Sequence, residues 1–220
     1  MVFLTKGVDN MNNKEKEGMN IVWLGSSVTI GAANNDVSMA DYIAENEKWN
    51  CFKYAISGTT LADYGPKSYV ARLKQITVPD NCDVFICQLS TNDASQNKPL
   101  GAISEGYDID GFDTKTVCGA IEYIIAYAKE KWDPVIAFYT NPRYNSDNYS
   151  KMVSSLLKIQ EKWGIEILDI WNDCSLNDMS DEVKKEFLGK YMADAIHPNY
   201  RGYKEWWTPL FTDFIKKISK

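Results

Sequence analysis

The chain has 220 residues, 45% of them hydrophobic, 25% charged and 13% aromatic, which is enough apolar material for one sizeable core and excludes a disordered chain. A formal net charge of −6 repels nucleic acid and anionic lipid, so neither is expected as a partner. No stretch approaches the ~20 consecutive apolar residues that a membrane span needs.

Residues 1–18 are polar and carry the cluster "NKEKEG". They read as a peripheral arm without the apolar middle of a secretory signal, ahead of a single domain over 19–220, and the expected compartment is the cytoplasm. "NIVWLG" (20–25) is a short apolar run that stops at Gly25, as a buried strand does. "DVSMADYIAENEKW" (36–49) reads as an amphipathic helix capped by Asp36. "CFKYAIS" (51–57) is a second strand, and "PKSYVARLKQIT" (66–77) a second helix with Pro66 in its first turn. "DVFICQLS" (83–90) is the clearest strand. Residues 94–112 show no periodic pattern, and a loop of that length is expected to form a rim or lid.

Beyond it, "DTKTVCGAIEYIIAYAKEKW" (113–132) places Val117, Ala120, Ile121, Ile124, Ile125 and Ala128 on one helical face, with Asp113 as the cap. "PVIAFYT" (134–140) is a fourth strand, "YSKMVSSLLKIQEKWG" (149–164) a helix ended by Gly164, and "IEILDI" (165–170) a fifth strand. The closing helix, 199–218, is expected to bend or restart at Pro209. Strands separated by helices predict an α/β fold, a parallel sheet covered on both faces, with ligands at the carboxyl ends of the strands.

The chain has five cysteines, Cys51, Cys82, Cys87, Cys118 and Cys174, and no C-x-x-C pair. That reads as free thiols in a reducing compartment, all but Cys174 in or beside apolar segments. His197 is the only histidine, so a His-rich metal site is disfavoured and any imidazole chemistry must use this residue.

Polar stretches follow the first three strands: Gly25-Ser26-Ser27-Val28-Thr29, Ser57-Gly58-Thr59-Thr60 and Ser90-Thr91-Asn92-Asp93. A fourth, Asp194-Ala195-Ile196-His197-Pro198, precedes the last helix. A serine hydroxyl attacks a carbonyl once a base removes its proton, and an imidazole held by a carboxylate is such a base. The tetrahedral intermediate also needs donors, which the backbone N–H groups of Ser27 and Gly58 and the side chain of Asn92 can supply. Taken singly, these residues are ordinary turn and cap formers. Their order and their placement at strand ends make the combination informative. Strand geometry leaves the choice between Ser26 and Ser27 open, because neighbouring side chains point to opposite faces.

"LGSSVTIG", "AISGTT", "LSTND" and "DAIHPN" resemble the four blocks of the SGNH hydrolases, also called GDSL esterases/lipases, and the likeness runs over about residues 20–215. It implies a flavodoxin-like three-layer α/β/α sandwich with a five-stranded parallel sheet. It also implies Ser27 as nucleophile, His197 as base with Asp194 as its partner, and an oxyanion hole of Ser27, Gly58 and Asn92. The activity implied is a serine esterase acting on a small carboxylic ester or an acylated sugar, with no metal and no cofactor. The usual Gly-Asp-Ser reads Gly25-Ser26-Ser27 here, and the usual glycine of Gly-x-Asn-Asp is Ser90. These two departures motivate the alternative of a degenerate module that binds an ester or glycan without cleaving it. Thr29 stands where the nucleophile elbow of α/β-hydrolases has its second glycine. A nucleotide- or flavin-binding reading is disfavoured as well: "GSSVTIG" has two glycines six apart and no Lys or Arg. Acyl length, alcohol and oligomeric state do not follow from these motifs.

Overall fold

The structure, a computed structural model, describes residues 18–77 and 81–220. The arm expected over 1–18 lies outside the described residues except for Gly18. Five strands form one parallel sheet: β1 (Asn20–Gly25), β2 (Asn50–Ala55), β3 (Val84–Gln88), β4 (Val135–Tyr139) and β5 (Glu166–Leu168). Their order is β2-β1-β3-β4-β5, and every neighbouring pair is parallel. Flanking helices cover both faces, as the alternating pattern predicts, and complete the α/β/α sandwich that the family resemblance implies.

The period-2 alternation of the central strands divides the core into two layers. Val22 and Leu24 of β1 and Phe85 and Cys87 of β3 face one layer. This layer is closed by α3 (Tyr69–Leu73), α5 (Val117–Trp132) and α6 (Asp147–Trp163). Ile21, Trp23, Val84 and Ile86 face the other. That side is covered by α2 (Met39–Glu47), a π-helical turn (Gly202–Trp207) and α9 (Thr208–Ile218). Trp207 is fully buried there, edge-on to Tyr139 and tilted against Phe211.

Several helix starts differ from the sequence reading, each for a capping reason. Helix α2 is capped by Ser38 through a reciprocal box with Asp41, while Asp36 lies outside it at φ 61°. The second helix is only Tyr69–Leu73 and is capped by Ser68, whose hydroxyl accepts from the Ala71 N–H at 3.1 Å. Thr116, not Asp113, caps α5. Near Pro209 the helix changes type: the π-helical turn over Gly202–Trp207 gives way to α9, which starts at Thr208 with Pro209 in its first turn. Thr208 donates its N–H to the carbonyl of Tyr203, five residues back, so the helix passes into a proline that has no N–H of its own. Two further helices, α7 (Cys174–Asn177) and α8 (Asp181–Tyr191), occupy a stretch for which no element was expected.

Of the rim or lid expected at 94–112, the structure supports a rim: Ser95, Gln96 and Lys98 border surface clefts, and the rest of the segment is anchored to the body of the protein. Leu100, Ile103 and Ile109 pack against the core and Phe112 is buried in it. The buried Glu122 accepts from the Ser104 N–H at 2.8 Å, from Lys162 at 2.6 Å and from the Trp163 indole at 3.0 Å. Lys162 also donates to the carbonyls of Ser104 and Gly106, at 2.6 Å each. A charge-assisted cluster of this kind holds an irregular backbone that has no ladder of its own.

Candidate active site

In a doubly wound sheet the crevice opens where strand order reverses, here between β1 and β3. The chain leaving β1 turns at once into a short helix, α1 (Ser27–Ile30), with Ser27 as its first residue. Gly25 is required at this turn, because a Cβ there would sit 1.7 Å from the Thr29 hydroxyl. The chain leaving β3 turns into α4 (Thr91–Ser95). Ser90 caps that helix: its hydroxyl accepts from the Asn92 N–H at 3.2 Å and donates to the Thr59 carbonyl at 3.3 Å. The departure at position 90 therefore supports the turn that carries Asn92.

Asp194 and His197 arrive on the loop between α8 and the last helix. That loop is folded by Asp194 itself, whose Oδ1 accepts from the N–H groups of Ile196 at 2.7 Å and His197 at 2.8 Å. His197 Nδ1 lies 2.8 Å from Asp194 Oδ2, and His197 Nε2 lies 2.8 Å from Ser27 Oγ. Partial burial pushes the Asp194 carboxyl up. The two N–H groups and the imidazole outweigh that and hold it below the usual carboxylate value. An ionised carboxylate only accepts, so Nδ1 carries the hydrogen and Nε2 presents a lone pair to Ser27.

Ser27, Asn92 and His197 line one cleft of about 300 Å³, together with Thr91, Ser95, Tyr144, Asn145, Ser146 and Ile196. A larger cavity of about 570 Å³ adjoins it, sharing Tyr144 and Asn145 and bordered by Asp194, Leu188 and Met192. Gly58 lies at φ 78°, which glycine tolerates, and lines a neighbouring depression with Tyr64, Gln96 and Lys98. The next residue, Thr59, accepts from Asn92 Nδ2 through its carbonyl at 3.0 Å. Among the tyrosines, Tyr144 lines the cleft and Tyr64 the depression. Tyr107 instead packs edge-on against Trp163, and Trp206 against Phe187.

Four residues to which the sequence reading gave no role hold this arrangement. Arg72 is buried and donates to the carbonyls of Gly25, Tyr54 and Lys67 and to the Thr59 hydroxyl, joining the ends of β1 and β2 to the Gly58 loop. Asp93 accepts from the N–H groups of Leu61 at 2.7 Å and Ala62 at 3.0 Å, fixing that loop to α4. Gln88 and Asn141 sit at the ends of β3 and β4 and are fully buried. A polar residue ending an apolar strand was the available signal for both.

No protein-family model and no curated protein matches the sequence. Solved structures match closely in shape. A Lactobacillus plantarum protein is 19% identical, with TM-score 0.74 and coverage of 91% of this chain and 98% of that one. A member of the lipolytic protein G-D-S-L family from Veillonella parvula is 16% identical, with TM-score 0.63 and coverage of 91% and 100%. A family two carbohydrate esterase from Clostridium thermocellum, solved in complex with cellohexaose, is 17% identical, with TM-score 0.62 and coverage of 90% of this chain and 64% of that one. The chain has the α/β fold of the SGNH hydrolases. Among the described residues, no helix is long and apolar enough to cross a membrane.

Proposed function

We propose that this chain is a serine esterase of the SGNH hydrolase family that cleaves a small carboxylic ester through an acyl-enzyme intermediate. The observation that carries the reading is the continuous hydrogen-bonded line Asp194–His197–Ser27, opening into the cleft that Asn92 also lines. In this mechanism His197 Nε2 takes the Ser27 proton as Oγ attacks the acyl carbon. The oxyanion is met by the N–H groups of Ser27 and Gly58 and by the amide of Asn92. The imidazolium, stabilised by Asp194, then protonates the leaving alcohol. His197 next activates the water that releases the acid and restores Ser27. No metal or cofactor enters this scheme.

The cleft of about 300 Å³ favours a small acyl group, and the larger adjoining cavity favours a bulkier alcohol. An acylated sugar fits that division, and the likeness to a carbohydrate esterase points the same way. The test is hydrolysis of p-nitrophenyl acetate, with acetylated sugars as the second substrate set. Ser27→Ala abolishes turnover, and a fluorophosphonate probe labels Ser27 and not Ser26. Equal turnover by wild type and variant, or a label mapped to Ser26, rejects the assignment.

A further inference from the structure

The residue that departs from the family pattern beside the nucleophile, Ser26, is fully buried and has no place in the mechanism above. Its hydrogen bonds give it one. Gln88 Oε1 accepts from the Ser26 N–H at 2.9 Å, from the Thr29 hydroxyl at 2.9 Å, from the Ser26 hydroxyl at 3.2 Å and, more distantly, from the Tyr69 hydroxyl at 3.5 Å. The orientation of this amide is dictated by chemistry. A backbone N–H is always a donor, so turning the amide over would set NH₂ against N–H. The chain accepts a buried, unpartnered Gln88 Nε2 in that orientation, although an orphaned donor is costly.

The direction of every other bond follows. Thr29 has spent its one hydrogen on Gln88, so the Tyr139 hydroxyl donates to Thr29 Oγ1, at 2.7 Å. Ser26 has likewise spent its hydrogen on Gln88, so its oxygen is left with only lone pairs to offer. Those lone pairs accept from Asn92 Nδ2 at 3.1 Å. The Asn92 amide is thus held between two acceptors, Ser26 Oγ and the Thr59 carbonyl, the latter at 3.0 Å.

Resting on the esterase reading, we infer that Ser26 and Gln88 are positioning residues that aim the Asn92 amide at the oxyanion. Gln88 sets the polarity of the Ser26 hydroxyl, and Ser26 replaces the carboxylate usual at this position with a neutral acceptor. A neutral, longer hydrogen bond holds the amide in place. It also yields readily when a charged oxyanion, a stronger acceptor, forms in the cleft.

Two measurements on the intact chain test this. In the first, Ser26→Ala lowers kcat for p-nitrophenyl acetate about tenfold at unchanged KM, but by less than about twofold in an Asn92→Ala background, because its effect runs through Asn92. An equal loss in both backgrounds, or a change confined to KM, overturns the inference. The second needs no turnover. By NMR, one of the two Asn92 side-chain amide protons exchanges with solvent about fivefold faster in Ser26→Ala, while the one facing Thr59 is unchanged. Identical exchange in wild type and variant overturns the inference. If wild type proves inactive on esters, the functional reading falls and the NMR result alone decides the role of Ser26.

Discussion

Asn141 donates its side-chain amide to the carbonyl of Ile196 at 2.7 Å, so the end of β4 grips the loop that carries His197. Asn141 is itself fixed, because its backbone N–H donates to the Tyr149 hydroxyl at 3.0 Å and that hydroxyl donates to the Leu89 carbonyl at 3.1 Å. The imidazole is therefore located by the buried sheet edge as well as by Asp194. Asn141→Ala should lower kcat about tenfold with little change in KM, since small misplacements of a catalytic group are costly in rate. Asn141→Asp should be worse, because it sets a carboxylate oxygen against a carbonyl oxygen. Steady-state kinetics on the two variants checks the order.

Asp194 holds His197 from an exposed position, its side chain 56% accessible against 25% for the histidine. Water can partly replace it there, so its removal should cost less than the ~10⁴-fold loss typical of a buried triad aspartate. The expected loss of kcat for Asp194→Asn is about a hundredfold. Ser27→Ala in the same assay marks the background; a loss as complete as that of Ser27→Ala would mean solvent gives no substitute.

Arg72 is a buried cation that meets no carboxylate among its hydrogen bonds; its partners are three carbonyls and a hydroxyl. Arg72→Met leaves those acceptors without their donor and should cost about 2–4 kcal/mol of stability. Arg72→Lys should recover only part of it, since an ammonium cannot span four oxygens set around a planar fork. Urea denaturation of the three proteins measures both differences.

Burial pushes the Asp93 carboxyl up from its ordinary value of 3.8, and the N–H groups of Ala62 and Leu61 only partly oppose it. A raised native value means that the folded chain holds this proton to higher pH than the unfolded chain does. Asp93 therefore favours folding least once pH has risen through its native value. Its stabilising share is full below 3.8 and declines above it. As pH rises through that window, wild type should lose stability relative to Asp93→Asn, whose side chain does not titrate. Parallel denaturation midpoints for the two across that window would show that Asp93 does not titrate there.

How much of this molecule could be read along the chain depends on the range of the forces involved. Strand and helix types, the two-sided burial of β3 and the caution at Pro209 follow from neighbours within a few positions, where periodicity and backbone chemistry act. The blocks at Ser27 and Asn92 were visible for the same reason, since each is a short polar stretch ending an apolar run, whereas the block at His197 was marked by the lone histidine and by its likeness to a family motif. Helix starts were misread where two cap residues compete, as Asp36 with Ser38 and Asp113 with Thr116, because the choice depends on which one has its hydroxyl or carboxylate free to face the first turn. The choice between rim and lid at 94–112 could not be made from the sequence because Glu122 and Lys162, which anchor the segment, lie far along the chain.

Folding alone brought His197 to Ser27 across 170 positions and gave Ser26 its partner Gln88 across 62. Hydrogen bonds are satisfied by whatever the fold sets within about 3 Å, irrespective of separation along the chain. The inventory of reactive groups could be read from local chemistry, whereas their directions, proton positions and supports depended on strand order and on the packing between layers.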